Sequence, residues 1–87
     1  MYDDILNGLI SFLCQSFLVE RDEININESL VDQGIIDSFG LIEISAYIEE
    51  NYGITIEEHD MTRENFGSAL RITKFIKNRM IIKSRSK

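Results

Sequence analysis

The apolar residues of the first eighteen positions recur with helical spacing. At 100° per residue, Tyr2, Ile5, Leu6, Leu9, Ile10, Phe12, Leu13 and Phe17 fall within an arc of roughly 160°, with Asp4, Asn7, Ser11 and Gln15 opposite. The spacing predicts a helix from about Asp3 to Leu18. Cys14 sits just outside the apolar arc, the position of a bystander rather than a nucleophile. From Val19 to Asp37 the periodicity is lost. Ile24, Ile26, Leu30 and Ile36 stand among polar residues, as in a loop pinned onto a core, and Gly34 suits a turn before the next helix. A connection of this length inside a compact domain needs a structural or functional reason.

Helical spacing resumes at Ser38 and stops at Gly53, a good C-terminal glycine. Ile54-Thr55-Ile56 could pass for a strand, but no partner strand is in view, so an extended linker is expected. Thr62 can cap a short helical turn through Phe66, and Ser68 a last helix to about Met80. In that helix Ala69, Ile72, Phe75, Ile76 and Met80 share a face, while Arg71, Lys74 and Lys77 point away. Three substantial helices, one short one and no credible sheet predict an all-α four-helix bundle with a long first loop. Residues 1–82 form the domain, and the basic tail from Lys83 to Lys87 is expected to fray.

The second helix carries two apolar stripes. Leu41, Ile44, Ile48 and Tyr52, with Ser45 beside them, make an ordinary core stripe. Phe39, Ile42 and Ala46 make another, centred roughly 145° away. A surface helix of a small bundle cannot bury both. Either the second stripe packs under the long loop, or it faces water, flanked by Glu43 and Glu50 on one side and Glu49 on the other. An exposed strip edged by carboxylates suits transient docking of a basic partner. At the start of this helix Asp37 suits the N-cap, leaving Ser38 in the first turn with its hydroxyl outside; alternatively Ser38 is itself the cap. In the first arrangement the free N–H groups and the positive dipole end favour a phosphate on the serine oxygen.

Charge and composition narrow the function. All fifteen carboxylates lie between Asp3 and Glu64, and seven of the nine cations come after Ser68. An acidic body with net charge −6 disfavours nucleic acid and attracts basic protein surfaces. One cysteine rules out a disulfide framework and a cysteine-based metal site, and no apolar run reaches the roughly 18 residues of a membrane span. The start, Met-Tyr-Asp-Asp, lacks a signal peptide's basic residues, and a cytoplasmic protein is expected. His59 stands in a polar loop with no nearby nucleophile, and the pairs Glu49-Glu50 and Glu57-Glu58 point in different directions, so neither an enzyme nor a metal site is expected. The cations near the C-terminus fit a helix complementing its own dipole; RNA or an acidic lipid surface is the competing reading.

The stretch Gly34-Ile-Ile-Asp-Ser-Phe-Gly-Leu-Ile-Glu-Ile resembles the attachment motif of acyl and peptidyl carrier proteins. The resemblance continues through Ile48 to Ile56 and through Met61-Thr62-Arg63-Glu64-Asn65-Phe66, about two-thirds of the chain. It implies that a phosphopantetheinyl transferase joins 4′-phosphopantetheine from coenzyme A to Ser38, with Asp37 positioning the serine. It also implies that an acyl or aminoacyl group is held as a thioester and presented to loading and transferring enzymes with basic docking surfaces. Phe39, Ile42, Glu43, Ala46, Glu49 and Glu50 match the family's partner-recognition face. The expected protein is a monomeric, non-catalytic carrier. Gly40, where many fatty-acid carriers have an acid, and the basic last helix point to a specialised biosynthetic pathway or an amino-acid cargo. The alternative is an unmodified helical adaptor binding one protein through the Phe39-Ile42-Ala46 strip.

Overall fold

The computed structural model describes residues 2–85 and contains four α-helices: α1 (Tyr2–Phe17), α2 (Ser38–Tyr52), α3 (Arg63–Phe66) and α4 (Ala69–Arg85). Among the described residues there is no strand, only an isolated bridge between Ser29 and Ser68, and no helix is long and apolar enough to cross a membrane. The all-α bundle is therefore as the periodicity predicts. Local chemistry sets the boundaries. Asp37 and Thr62 cap α2 and α3 through Gly40 N–H and Asn65 N–H, and Ser68 Oγ accepts from Arg71 N–H. Gly53, at φ 65°, ends α2 in the left-handed conformation that an L-residue resists.

One core joins the helices. Ile5, Leu9, Ile10 and Leu13 of α1 meet Ala69, Ile72, Phe75 and Ile76 of α4, with Ile44 and Ile48 of α2 and Phe66 of α3. The apolar residues of the long loop finish it: Ile24, Leu30 and Ile36 are buried and Ile26 half-buried. The loop's backbone is stitched to the α3–α4 junction, with Leu30 N–H donating to Gly67 O (3.1 Å) and Leu70 N–H to Ile26 O (3.0 Å). Gln33 braces it from within, accepting from Asn25 N–H (2.9 Å) and donating to Asn25 O (2.8 Å) and Glu28 O (3.0 Å). The loop is long because it is a structural layer, and among the described residues no buried side-chain polar atom is left without a partner.

Helix α4 departs from expectation at its far end. It runs to Arg85, past the expected end near Met80 and into the basic tail, of which residues 86 and 87 lie outside the described residues. Met80 does not join the core face; it is 39% exposed, because the buried part of α4 ends one turn earlier at Ile76. Thr73, which the apolar pattern passes over, is fully buried and satisfies its hydroxyl by donating to Ala69 O at 2.9 Å.

An ion pair between buried Asp60 and half-buried Arg79, which the charge pattern did not disclose, fastens α4 to the linker after α2. Residues Glu58–Asp60 form a 3-10 turn. Asp60 is buried there, accepting from Arg79 Nη2 at 2.5 Å and from Glu57 N–H at 2.9 Å. Arg79 also donates to Thr55 O (3.4 Å) and lies over the Phe75 ring, 4.7 Å from its centroid. The Arg79 bond, with the Glu57 N–H, holds the Asp60 carboxyl below its ordinary value of 3.8. A depressed folded-state value means the contribution is complete above 3.8 and is lost as pH falls below it. Wild-type thermal stability is thus expected to decline on acidification through that range. Asp60→Asn should show a shallower decline when melts are compared across it; parallel curves would show the clasp to be neutral.

Candidate functional site

The site begins where the loop delivers the chain to α2. Asp37 is extended (φ −113°, ψ −165°), and its Oδ1 accepts from Gly40 N–H at 3.0 Å. Asp37, not Ser38, is therefore the cap. Ser38 is the first helical residue and is exposed. The first intrahelical bond runs from Leu41 N–H to Asp37 O (3.3 Å), so the N–H groups of Ser38 and Phe39 precede the helical ladder and face the dipole's positive end. An exposed hydroxyl beside open backbone donors fits an oxygen that carries a phosphodiester.

Gly40 explains how this opening is set. A Cβ there would stand 2.7 Å from Ile36 Cβ and 3.2 Å from Phe17 Cε1. The first turn of α2 is thus pressed against the end of the loop and of α1, and only glycine permits the approach. An acid at this position would gain about 0.3–1 kcal/mol from the helix dipole. Overpacking against the root of Ile36 costs about 1–3 kcal/mol. Gly40→Asp is therefore expected to lower the melting temperature; a rise would show the packing to be slack.

The two stripes of α2 separate as their spacing requires. Ile44 and Ile48 are fully buried, whereas Phe39 is 75% and Ile42 58% exposed. Ala46, Glu43, Glu49 and Glu50 are exposed with them. The strip does not pack under the loop. Glu49 has a second commitment: its Oε2 accepts from Ile56 N–H at 2.8 Å, tying α2 to the linker. His59 is exposed, 3.7 Å from Asp60 Oδ1, and Cys14 is half-buried.

Beside α2 lies a feature that sequence spacing missed. Val31, Leu41, Met61 and Phe66 line an open groove of about 190 Å³ between α2 and α3, with Thr62 and Arg63 at its edge. Val31 and Met61 are apolar residues with no place in any helical stripe, the one signal that could have indicated it.

Comparison with known proteins matches residues 7–76 to the family described as "Phosphopantetheine attachment site". The chain is 30% identical over 80 residues to the D-alanyl carrier protein of Abiotrophia defectiva, covering 92% of this chain and 96% of that one. It is 26% identical over 69 residues to the D-alanyl carrier protein of Streptococcus suis (79% and 86% covered). It is 30% identical over 59 residues to the meromycolate extension acyl carrier protein of Mycolicibacterium smegmatis (68% and 60% covered).

Proposed function

This chain belongs to the phosphopantetheine-attachment family of carrier proteins, and we propose that Ser38 is the residue that receives its arm. It is a non-catalytic carrier. The observation that carries the assignment is the division of labour at the start of α2: Asp37 caps the helix, which leaves the Ser38 hydroxyl exposed and uncommitted. Asp37 is thus a positioning residue. The N–H groups of Ser38 and Phe39 face the phosphate position and favour its negative charge. When attached, the arm supplies a terminal thiol on which cargo is carried as a thioester.

The rest of the chain presents that arm to other proteins. Phe39, Ile42 and Ala46 offer apolar contact area, and Glu43, Glu49 and Glu50 draw in basic surfaces of the transferase and of the loading and transferring enzymes. Tethering makes each handover effectively intramolecular. The cargo is an amino acid or a short acyl group of a specialised biosynthetic pathway. Two features support a small cargo. The groove beside α2 is shallow at about 190 Å³, while Leu9, Leu13, Leu30, Ile44, Ile48, Ile72 and Ile76 fill the interior. Similarity also spans nearly the whole length of a D-alanyl carrier but about two-thirds of the chain for a meromycolate carrier.

Intact-mass measurement after co-expression with a broad-specificity phosphopantetheinyl transferase tests the reading. A gain of one phosphopantetheine is expected; an unchanged mass would favour the unmodified adaptor. A loading screen with amino acids and fatty acids of graded length, read by mass, then identifies the cargo.

A further inference from the structure

Helix α4 outruns the core it serves. Its last buried apolar residue is Ile76, yet the helix continues to Arg85. On the side of α4 away from the core, Arg71, Lys74, Asn78, Ile81 and Ile82 fall within an arc of about 100°. Arg71, Lys74 and Asn78 are exposed, and so are Ile81 by 49% and Ile82 by 50%. This face therefore has cations at its base and two bulky apolar side chains at its far end. No acid follows Glu64 in the sequence; Glu64 itself is exposed and lines the same recess as Arg71 and Lys74. After Ile82 the chain reads Lys-Ser-Arg-Ser-Lys, which adds cations only. In a chain of net charge −6 the cations are thus segregated from the acidic body rather than spread through it.

We propose that this face of α4 is a peripheral docking surface for an anionic lipid bilayer, with Ile81 and Ile82 entering the headgroup boundary and the cations meeting the lipid charge. Cations and bulky apolar side chains on one helical face match a surface that offers negative charge with hydrocarbon directly beneath it. A nucleic acid offers the charge without the hydrocarbon, and isoleucine is no stacking platform for its bases. The helix lies on such a surface and does not cross it, being neither long nor apolar enough. Position makes docking compatible with carriage. Ile72 and Ile76 of α4 and Ile44 and Ile48 of α2 turn to the same core. The outer face of α4 and the exposed strip of α2 therefore look outward on different sides of the bundle. A chain resting on lipid through α4 still offers Phe39 and Ile42 to other proteins. The inference concerns a surface separate from that strip and does not depend on the arm.

The test is flotation of the full chain with vesicles of phosphatidylcholine alone and of phosphatidylcholine with about one-third phosphatidylglycerol. Partitioning should be at least about tenfold stronger onto the anionic vesicles at low salt and should fall as salt rises. Ile81→Ser with Ile82→Ser should weaken it at least about tenfold, because the apolar contact is lost. The same pair should leave the melting temperature near wild type, since both side chains stand outside the core. Ile81→Leu with Ile82→Leu, which keeps the apolar volume, should stay within about twofold of wild type. Arg71→Gln with Lys74→Gln should weaken partitioning at least about tenfold. Arg21→Gln with Arg63→Gln removes the same charge from the acidic body and should leave it within about twofold at moderate salt. The proposal is overturned if anionic vesicles bind no better than neutral ones, or if the serine pair binds like wild type. It is also overturned if the Arg71/Lys74 pair behaves like the Arg21/Arg63 pair. Retention on single-stranded RNA that the serine pair leaves unchanged, without vesicle binding, would assign the face to nucleic acid instead and overturn it too.

Discussion

Ser38→Ala is expected to abolish the phosphopantetheine mass gain completely while leaving melting temperature and helical signal near wild type. The two halves of that outcome have separate causes. Loss of modification is expected because Ser38 is the one hydroxyl residue in the first turn of α2. Ser45 donates to Ile42 O at 2.8 Å on the half-buried side of α2, and Ser68 is buried and committed to Arg71 N–H. Retention of the fold follows because Asp37 carries the cap, so the substitution removes no helix-starting bond. Asp37→Ala should do the reverse: loss of the cap costs about 0.5–2 kcal/mol, and modification is slowed rather than abolished. A substantial fall in stability from Ser38→Ala alone, or residual mass gain, would mean that the start of α2 is built differently.

The second large effect contrasts two isoleucines two residues apart. Ile44→Ala should destabilise by about 2–5 kcal/mol, since Ile44 is fully buried and the cavity it leaves cannot collapse easily. A small domain has only about 5–15 kcal/mol in total, and each ~1 kcal/mol lowers the melting temperature by about 4–8 °C at this size. Ile42→Ala removes the same atoms from a residue 58% exposed and should shift stability by no more than about 0.5 kcal/mol. Its effect should fall on partner affinity instead. Equal melting temperatures for the two variants would contradict the division of α2 into a core stripe and a contact stripe.

Much of this was legible in the order of residues, for physical reasons that can be named. The bounds of α2 follow from Asp37 and Gly53, whose capping chemistry is local. Spacing separates Phe39 and Ile42 from the core stripe but leaves them two places, under the loop or facing water, and the structure has them in the second. What escaped depends on distant pairing. Asp60 and Arg79 are 19 residues apart, and their meeting requires the 3-10 turn at Glu58–Asp60 and the approach of α4. Phe12 and Tyr47 stack, with centroids 4.4 Å apart, only because α1 and α2 bring them together; in sequence Phe12 reads as one more member of an apolar arc. Met80 was misplaced because helical periodicity does not reveal where the neighbouring helices stop.

The stitching of the first loop bears on how the protein comes into being on the ribosome. The segment leading into Ser38 draws its anchoring hydrogen bonds from Gly67 and Leu70, residues translated some thirty positions later. A nascent chain that has exposed α1, the loop and α2 still lacks those anchors and the α4 face that closes the interior. The serine's finished surroundings therefore come into existence only after α4 has emerged, so the start of α2 and the far end of the bundle are completed together.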